Sequence, residues 1–213
     1  MSEVRPRLVV VAGPNGSGKT SITHQLHDLR HKWMAGCDYI NPDNIAEREL
    51  NGWNDPDSIL KAARLATERR ETCLREQRDF AFETVFSTPE KLDFLRRAHS
   101  AGFFIRLFFV GTESPAINAK RVATRCLEGG HDVPIAKIIS RYTRSMANAG
   151  EAATFVDRAY FYDNSVDVAP GEEPDWRPLF RTVEGRLVPK YPRPDHPWAA
   201  ALYDALSAPL PDA

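Results

Sequence analysis

The chain has 213 residues, with 28 Lys plus Arg against 29 Asp plus Glu, a formal net charge of −1, and 42% hydrophobic residues. This length predicts one domain over residues 1–213 with a proper core, and the charge balance gives no global field toward nucleic acid or an anionic membrane. No apolar run nears the roughly 20 residues that span a bilayer, and the opening Met-Ser-Glu-Val-Arg-Pro-Arg has no signal-peptide core, so a cytoplasmic protein is expected. Cys37, Cys73 and Cys126 are odd in number and lack C-x-x-C spacing, which argues against a disulfide framework or a structural zinc site.

The first strand is predicted at residues 8–12, an apolar Leu-Val-Val-Val-Ala run. It leads into Gly13, Pro14, Asn15, Gly16, Ser17, Gly18, Lys19 and Thr20, a full G-x-x-x-x-G-K-[ST] phosphate loop between a strand and a helical pattern. Glycines at 13, 16 and 18 permit turns that a Cβ forbids, so that successive N–H groups can converge on phosphate oxygens. Lys19 supplies positive charge for the β- and γ-phosphates. Thr20, at the start of the next helix, can place its hydroxyl on a magnesium ion, and the helix N-terminus adds partial positive charge. A nucleoside triphosphate with Mg2+ is therefore the predicted ligand.

A helix is expected over residues 20–32, then a short strand over 37–40 running into Asn41-Pro42-Asp43. Asp55-Pro56 opens a long helix to about residue 78, with Ile59, Ala63, Leu65 and Ala66 on its inner side. Residues 80–86 form the third strand, and Thr88-Pro89-Glu90 starts a helix that stops near Gly102. Residues 103–110 are the most apolar stretch and predict a central strand buried on both faces. Ser114-Pro115 then opens a basic helical hairpin over about 114–149. It carries Lys120, Arg121 and Arg125 before Gly129-Gly130-His131, and Lys137, Arg141 and Arg144 after it. A fifth strand ends at Asp163-Asn164-Ser165, and residues 179–188 read as a β-hairpin turning at Glu184-Gly185. A proline-rich connector leads to a short helix near 198–206, whose Trp198, Leu202 and Leu206 suit docking on the core. This alternation predicts an α/β, P-loop NTPase three-layer sandwich. Its core, residues 7–165, has about five parallel strands with helices on both faces and a basic helical lid; a small C-terminal β-hairpin lies in the tail, 166–213.

No N-K-x-D tetrapeptide for reading guanine is present, and Leu127-Glu128-Gly129-Gly130-His131 is not followed by the apolar run ending in Asp-Glu that a transporter ATPase needs. What remains is a compact phosphotransferase, which requires a base near an acceptor hydroxyl, a metal, and cations over the transferring phosphoryl group. Asp43 follows the second strand on the sheet edge that carries the phosphate loop, and can accept the hydroxyl proton. Glu83 interrupts an apolar strand, where a carboxylate is costly without partners; it can orient the magnesium shell or grip the acceptor. Arg121, Arg125, Arg141 and Arg144 can close over the triphosphate as a lid. The competing reading is an ATP-gated binding module that acts on a protein partner without phosphoryl transfer, for which neither carboxylate is needed.

Taken together, several segments resemble the short bacterial members of the zeta toxin family of P-loop kinases. They are residues 13–20, Asn41-Pro42-Asp43-Asn44-Ile45-Ala46, Phe82-Glu83-Thr84 with Ser87, the stretch from Arg121 through Gly129-Gly130-His131-Asp132-Val133-Pro134 to Arg141-Tyr142, and Asp163-Asn164-Ser165. The match covers about residues 7–165. The resemblance implies an ATP- and magnesium-dependent kinase that phosphorylates a hydroxyl of a small molecule such as a sugar or sugar nucleotide, with an antitoxin as protein partner. It implies Asp43 as general base, Glu83 and Thr84 in the acceptor site, Arg121 or Arg125 on the γ-phosphate, and Asn164 beside adenine. The larger members, which phosphorylate UDP-N-acetylglucosamine, carry a Gly after the strand Glu and an Arg shortly beyond; this chain has Thr84-Val85-Phe86-Ser87 there. Where those members place a second lid arginine this chain has His131, so that role falls to His131 or Arg141.

Overall fold

The apolar run behind Arg7 forms β1 (Arg7–Ala12), and its alternating side chains feed two cores: Leu8, Val10 and Ala12 on one face, Val9 and Val11 on the other. In this computed structural model, which describes residues 4–28, 32–52, 55–127, 133–168 and 176–208, β1 is followed by α1 (Lys19–Asp28), β2 (Asp38–Ile40), α2 (Pro42–Glu49) and α3 (Pro56–Arg75). Next come β3 (Phe80–Thr84), α4 (Pro89–Ser100), β4 (Phe104–Gly111), α5 (Pro115–Leu127) and α6 (Ile135–Ala152). The chain continues through β5 (Arg158–Asp163), β6 (Arg177–Val183), β7 (Arg186–Leu187) and α7 (Pro197–Ser207). The sheet order is β2-β3-β1-β4-β5-β6-β7, with the first five strands parallel. The longest strand, β4, takes the middle of the sheet, with Leu107, Phe108 and Phe109 fully buried.

Chain direction explains the unequal layers. From β1 the chain steps past β3 to β2, whereas the steps to β3, β4 and β5 run the opposite way, so right-handed crossovers put α1 on one face and the later helices on the other. Accordingly Ile22 and Leu26 of α1 pack with Val9, Val11, Ala81 and Phe108. The larger core, around Phe80, Phe82, Leu95, Phe103 and Phe161, receives side chains from α2, α3, α4, α6 and α7. The C-terminal ends of the parallel strands, where ligands of open α/β sheets collect, carry the phosphate loop and the segments after β2, β3 and β5.

Four features differ from the sequence reading. The sheet has seven strands rather than about five, because the C-terminal hairpin continues it: β6 pairs antiparallel with β5, satisfying an edge that would otherwise be open. The hairpin turns on Glu184 and Gly185, both at positive φ, a two-residue geometry whose twist matches that of the strands. Between β2 and α3 stands an additional helix, α2, with Asn41 as N-cap and Pro42 in its first turn. The inner face of α3 is Ala62, Ala66, Arg70 and Cys73, while Ile59 is 40% exposed and Ala63 is also exposed; of the predicted set only Ala66 is fully buried, with Leu65 partly so. Small residues at 62 and 66 bring this helix close to the sheet, and that packing decides the face. Finally, β3 stops at Thr84, because Phe86 takes φ 58° and its N–H donates to Thr84 Oγ1 at 3.0 Å.

The terminal helix docks as its apolar spacing predicts. Trp198 meets Phe109 with ring centroids 5.8 Å apart and covers Gly111, where an added Cβ would lie 2.5 Å from the indole.

Candidate active site

The phosphate loop is braced from outside by two asparagines. Asn118 Nδ2 of α5 donates to the Asn15 carbonyl at 2.6 Å, and Asn164 Nδ2, just after β5, donates to the Ser17 carbonyl at 2.9 Å. These braces approach so closely that side chains are excluded. A Cβ on Gly16, at φ 75°, would lie 2.7 Å from the Asn118 carbonyl oxygen, and one on Gly18, at φ 93°, would lie 2.3 Å from Asn164 Nδ2. The end of β3 adds a third tie, Gly13 N–H to the Thr84 carbonyl at 3.3 Å. Ser17 Oγ is fully buried beside Gly13 and has no hydrogen-bond partner among the described residues. Asn164 thus stands where the loop needs it, as a brace of Ser17 and a wall of the cleft beside it.

Lys19 Nζ donates to the Pro14 carbonyl at 2.9 Å. Burial pushes its ammonium down to about 8; the charge of Glu83 opposes that shift and Arg125 adds to it. Thr20 Oγ1 donates to Glu83 Oε2 at 3.2 Å, and Tyr39 OH donates to Glu83 Oε1 at 2.6 Å. Behind Tyr39, Asn41 Nδ2 donates to its hydroxyl oxygen at 3.1 Å, while Asn41 Oδ1 accepts the Asp43 N–H at 2.8 Å. Tyr39 pairs with Ala81 in the sheet register, so Tyr39, Ala81 and Glu83 share the face that α1 covers. Burial and the neighbouring Glu83 charge push the Tyr39 phenol well up, which keeps it a donor. The carboxylate that looked costly in an apolar strand is therefore partnered at both oxygens. Asp43 is exposed in the first turn of α2, and Thr84 spends its hydroxyl on the turn to Phe86.

The arginines divide into separate tasks. Arg125 lines a cleft of about 450 Å³ with Gly16, Gly18, Ser21, Thr124 and Asn164. Arg141 Nη1 lies 3.3 Å from Asn15 Oδ1, at the rim of the loop. Arg121 lines the same cleft, and it also clamps the segment after β5. Its guanidinium donates to Asp167 Oδ1 at 2.8 Å, to the Asn164 carbonyl at 2.7 Å and to the Val166 carbonyl at 3.2 Å. Among the described residues Arg144 bonds within α6, to Ser140. Gly129, Gly130 and His131 lie outside the described residues. Sequence reasoning missed Tyr39 and Asn118. Alternation along β2 and β3 could have put Tyr39 on the face of Glu83, but only once the strand register was known.

A parallel sheet with a braced phosphate loop at its C-terminal edge, a helical pair over the loop and a carboxylate beside the loop threonine defines the class as a P-loop kinase fold. The chain belongs to the zeta toxin family, whose model matches residues 1–169. An uncharacterised protein of Haemophilus influenzae is 26% identical over 125 residues, covering 59% of this chain and 84% of that protein. Among solved structures, the AvrRxo1-ORF1:-ORF2 complex with ATP contains a chain similar at TM-score 0.63 and 16% identity, covering 99% of this chain and 66% of that one. The PezAT chromosomal toxin–antitoxin system of Streptococcus pneumoniae gives TM-score 0.55 and 15% identity, covering 76% and 70%. At such identities the likeness is one of fold, and this chain spans about two thirds of the length of the AvrRxo1 chain. Among the described residues no helix is long and apolar enough to cross a membrane.

Proposed function

We propose that the protein is an ATP-dependent kinase that transfers the γ-phosphoryl group to a hydroxyl of a small molecule, a sugar or sugar nucleotide, with magnesium as the metal. The observation that carries this reading is the contact of Thr20 Oγ1 with Glu83 Oε2, which puts a carboxylate beside the loop threonine at the mouth of the phosphate cradle. The positive φ of Gly16 and Gly18 shapes the turn into the N-terminus of α1, whose first N–H groups suit phosphate oxygens. Family membership supports phosphoryl transfer, and the ATP named with the AvrRxo1 structure supports ATP as donor. An antitoxin as protein partner, and a single kinase domain over residues 1–213, belong to the same proposal.

Magnesium would supply positive charge that screens the phosphate oxygens of the donor. Thr20 and Glu83 would hold it. Lys19 sets its ammonium against the same oxygens, and Arg125 and Arg141 border the cleft where charge spreads in the transition state. Asp43 takes the proton of the acceptor hydroxyl as that oxygen bonds to the γ-phosphorus and the bond to the β-bridging oxygen breaks, leaving ADP. Arg121 lines the same cleft and also orders its wall through Asp167 and the Asn164 carbonyl, so the γ-phosphate contact falls to Arg121 or Arg125.

Incubating the protein with γ-labelled ATP and a metabolite extract tests this. Asp43→Ala should lower label transfer at least about a hundredfold while ATP affinity stays within about twofold. Transfer that survives the substitution unchanged removes Asp43 as base and overturns the reading.

A further inference from the structure

We propose that Tyr39, backed by Asn41, is a positioning residue that aims the Glu83 carboxylate at Thr20 and ties the metal side of the site to the helix bearing Asp43; this rests on the kinase reading above. The hydrogen bonds form one unbroken chain. Thr20 Oγ1 donates to Glu83 Oε2, Tyr39 OH donates to Glu83 Oε1, Asn41 Nδ2 donates to Tyr39 OH, and Asn41 Oδ1 accepts the Asp43 N–H. Each member has a reason to sit where it does. Ala81, fully buried and directly opposite Tyr39, leaves room for the phenol to reach along the sheet to Glu83.

Chemistry gives the chain a direction. A carboxylate holding the Thr20 proton makes the Thr20 oxygen more electron-rich, and a metal takes the lone pairs of that oxygen without breaking the donated bond. Glu83 does this only while its plane is held, and Tyr39 at 2.6 Å on the far oxygen is what holds it. At the other end Asn41 is committed on both sides of its amide, to Tyr39 and to the α2 cap. The Asp43 carboxylate makes no hydrogen bond or ion pair among the described residues. Its placement therefore depends on the N-terminus of α2, hung from a three-residue edge strand. Ile45 and Ala46 seat α2 in the core, and the Tyr39 and Asn41 side chains link its first turn to the phosphate loop.

The test combines ATP binding with hydrogen exchange on the full chain. ATP affinity is titrated against Mg2+ and in EDTA, for wild type, Tyr39→Phe, Asn41→Ser, Thr20→Val and the Tyr39→Phe/Thr20→Val pair. Tyr39→Phe should leave affinity in EDTA within about twofold and raise the Mg2+ needed for half-maximal tightening about tenfold, as loss of a hydrogen bond to a charged group implies. Asn41→Ser keeps a good N-cap but loses the amide donor, and should give a shift of the same sign of about threefold. On the Thr20→Val background Tyr39→Phe should add nothing, since the two act through one carboxylate. Amide exchange in residues 42–49 should slow on adding Mg2+ with ATP in wild type and not in Tyr39→Phe. A Tyr39→Phe effect equal with and without Mg2+, an additive pair, or α2 protection that survives the substitution overturns the inference alone. A wild type that binds no ATP overturns the kinase reading and the inference with it.

Discussion

The donor end and the acceptor end of the site are built differently. The phosphate loop emerges from β1, a fully buried interior strand, and is clamped by Asn118, Asn164 and the end of β3. Asp43 stands exposed on a short helix that follows a three-residue edge strand, linked to the loop by the Tyr39 and Asn41 side chains. A preformed donor cradle beside an acceptor-side carboxylate open to solvent suits a kinase whose donor is constant and whose acceptor geometry is adjustable. Electrostatic pre-organisation concentrates where charge always lands, and tolerance where the substrate varies.

Rigidity of the donor end can be broken most severely at Gly18. With φ 93° and a Cβ that would sit 2.3 Å from Asn164 Nδ2, Gly18→Ala forces either the loop or its brace to move. A penalty of about 2–3 kcal/mol predicts a fall in ATP affinity of roughly 50-fold, measurable by calorimetry. No loss of affinity would mean that the brace is soft and the two ends are alike.

A milder probe is pH. The Lys19 ammonium is lowered to about 8 in the free protein, so it is charged below that value and loses its proton above it. Bound triphosphate favours the charged form, and ATP affinity should therefore fall as pH rises through about 8, by up to about tenfold per unit well above that pKa. Lys19→Arg, charged throughout, should flatten the slope whatever its baseline. The smallest effect is expected at the Arg121 clamp. Asp167→Asn weakens a partly exposed ion pair and should cost about threefold or less in ATP affinity, with no change in Mg2+ dependence. A larger loss would make the wall of the cleft part of the rigid half.

How much could be read beforehand follows the same division. The loop glycines, Lys19 and Thr20 are contiguous and each acts through local backbone geometry, so their role was legible. The buried centre at β4 was legible too, because a strand covered on both faces must be apolar throughout. Glu83 was noticeable as a charge in an apolar strand, but its partners were not, since Tyr39 and Thr20 are 44 and 63 residues away. The arginines looked alike on one basic hairpin, and only packing showed that Arg121 and Arg125 line the cleft beside the loop and that Arg121 is also tied to Asp167. The hairpin at residues 177–187 was visible as a hairpin. Its joining of the main sheet was not, because pairing with β5 depends on an edge that exists only in the fold.

The sequence by itself determined the phosphate loop and the parallel α/β order, because these rest on local turn geometry and the alternation of apolar runs, while the order of its motifs carried the resemblance to the family. Tertiary structure alone decided which side chains hold Glu83, which arginines line the cleft and what sets the helix carrying Asp43. Those are matters of strand register and helix packing between residues far apart in the chain, where a shift of one residue would turn Tyr39 to the opposite face of the sheet.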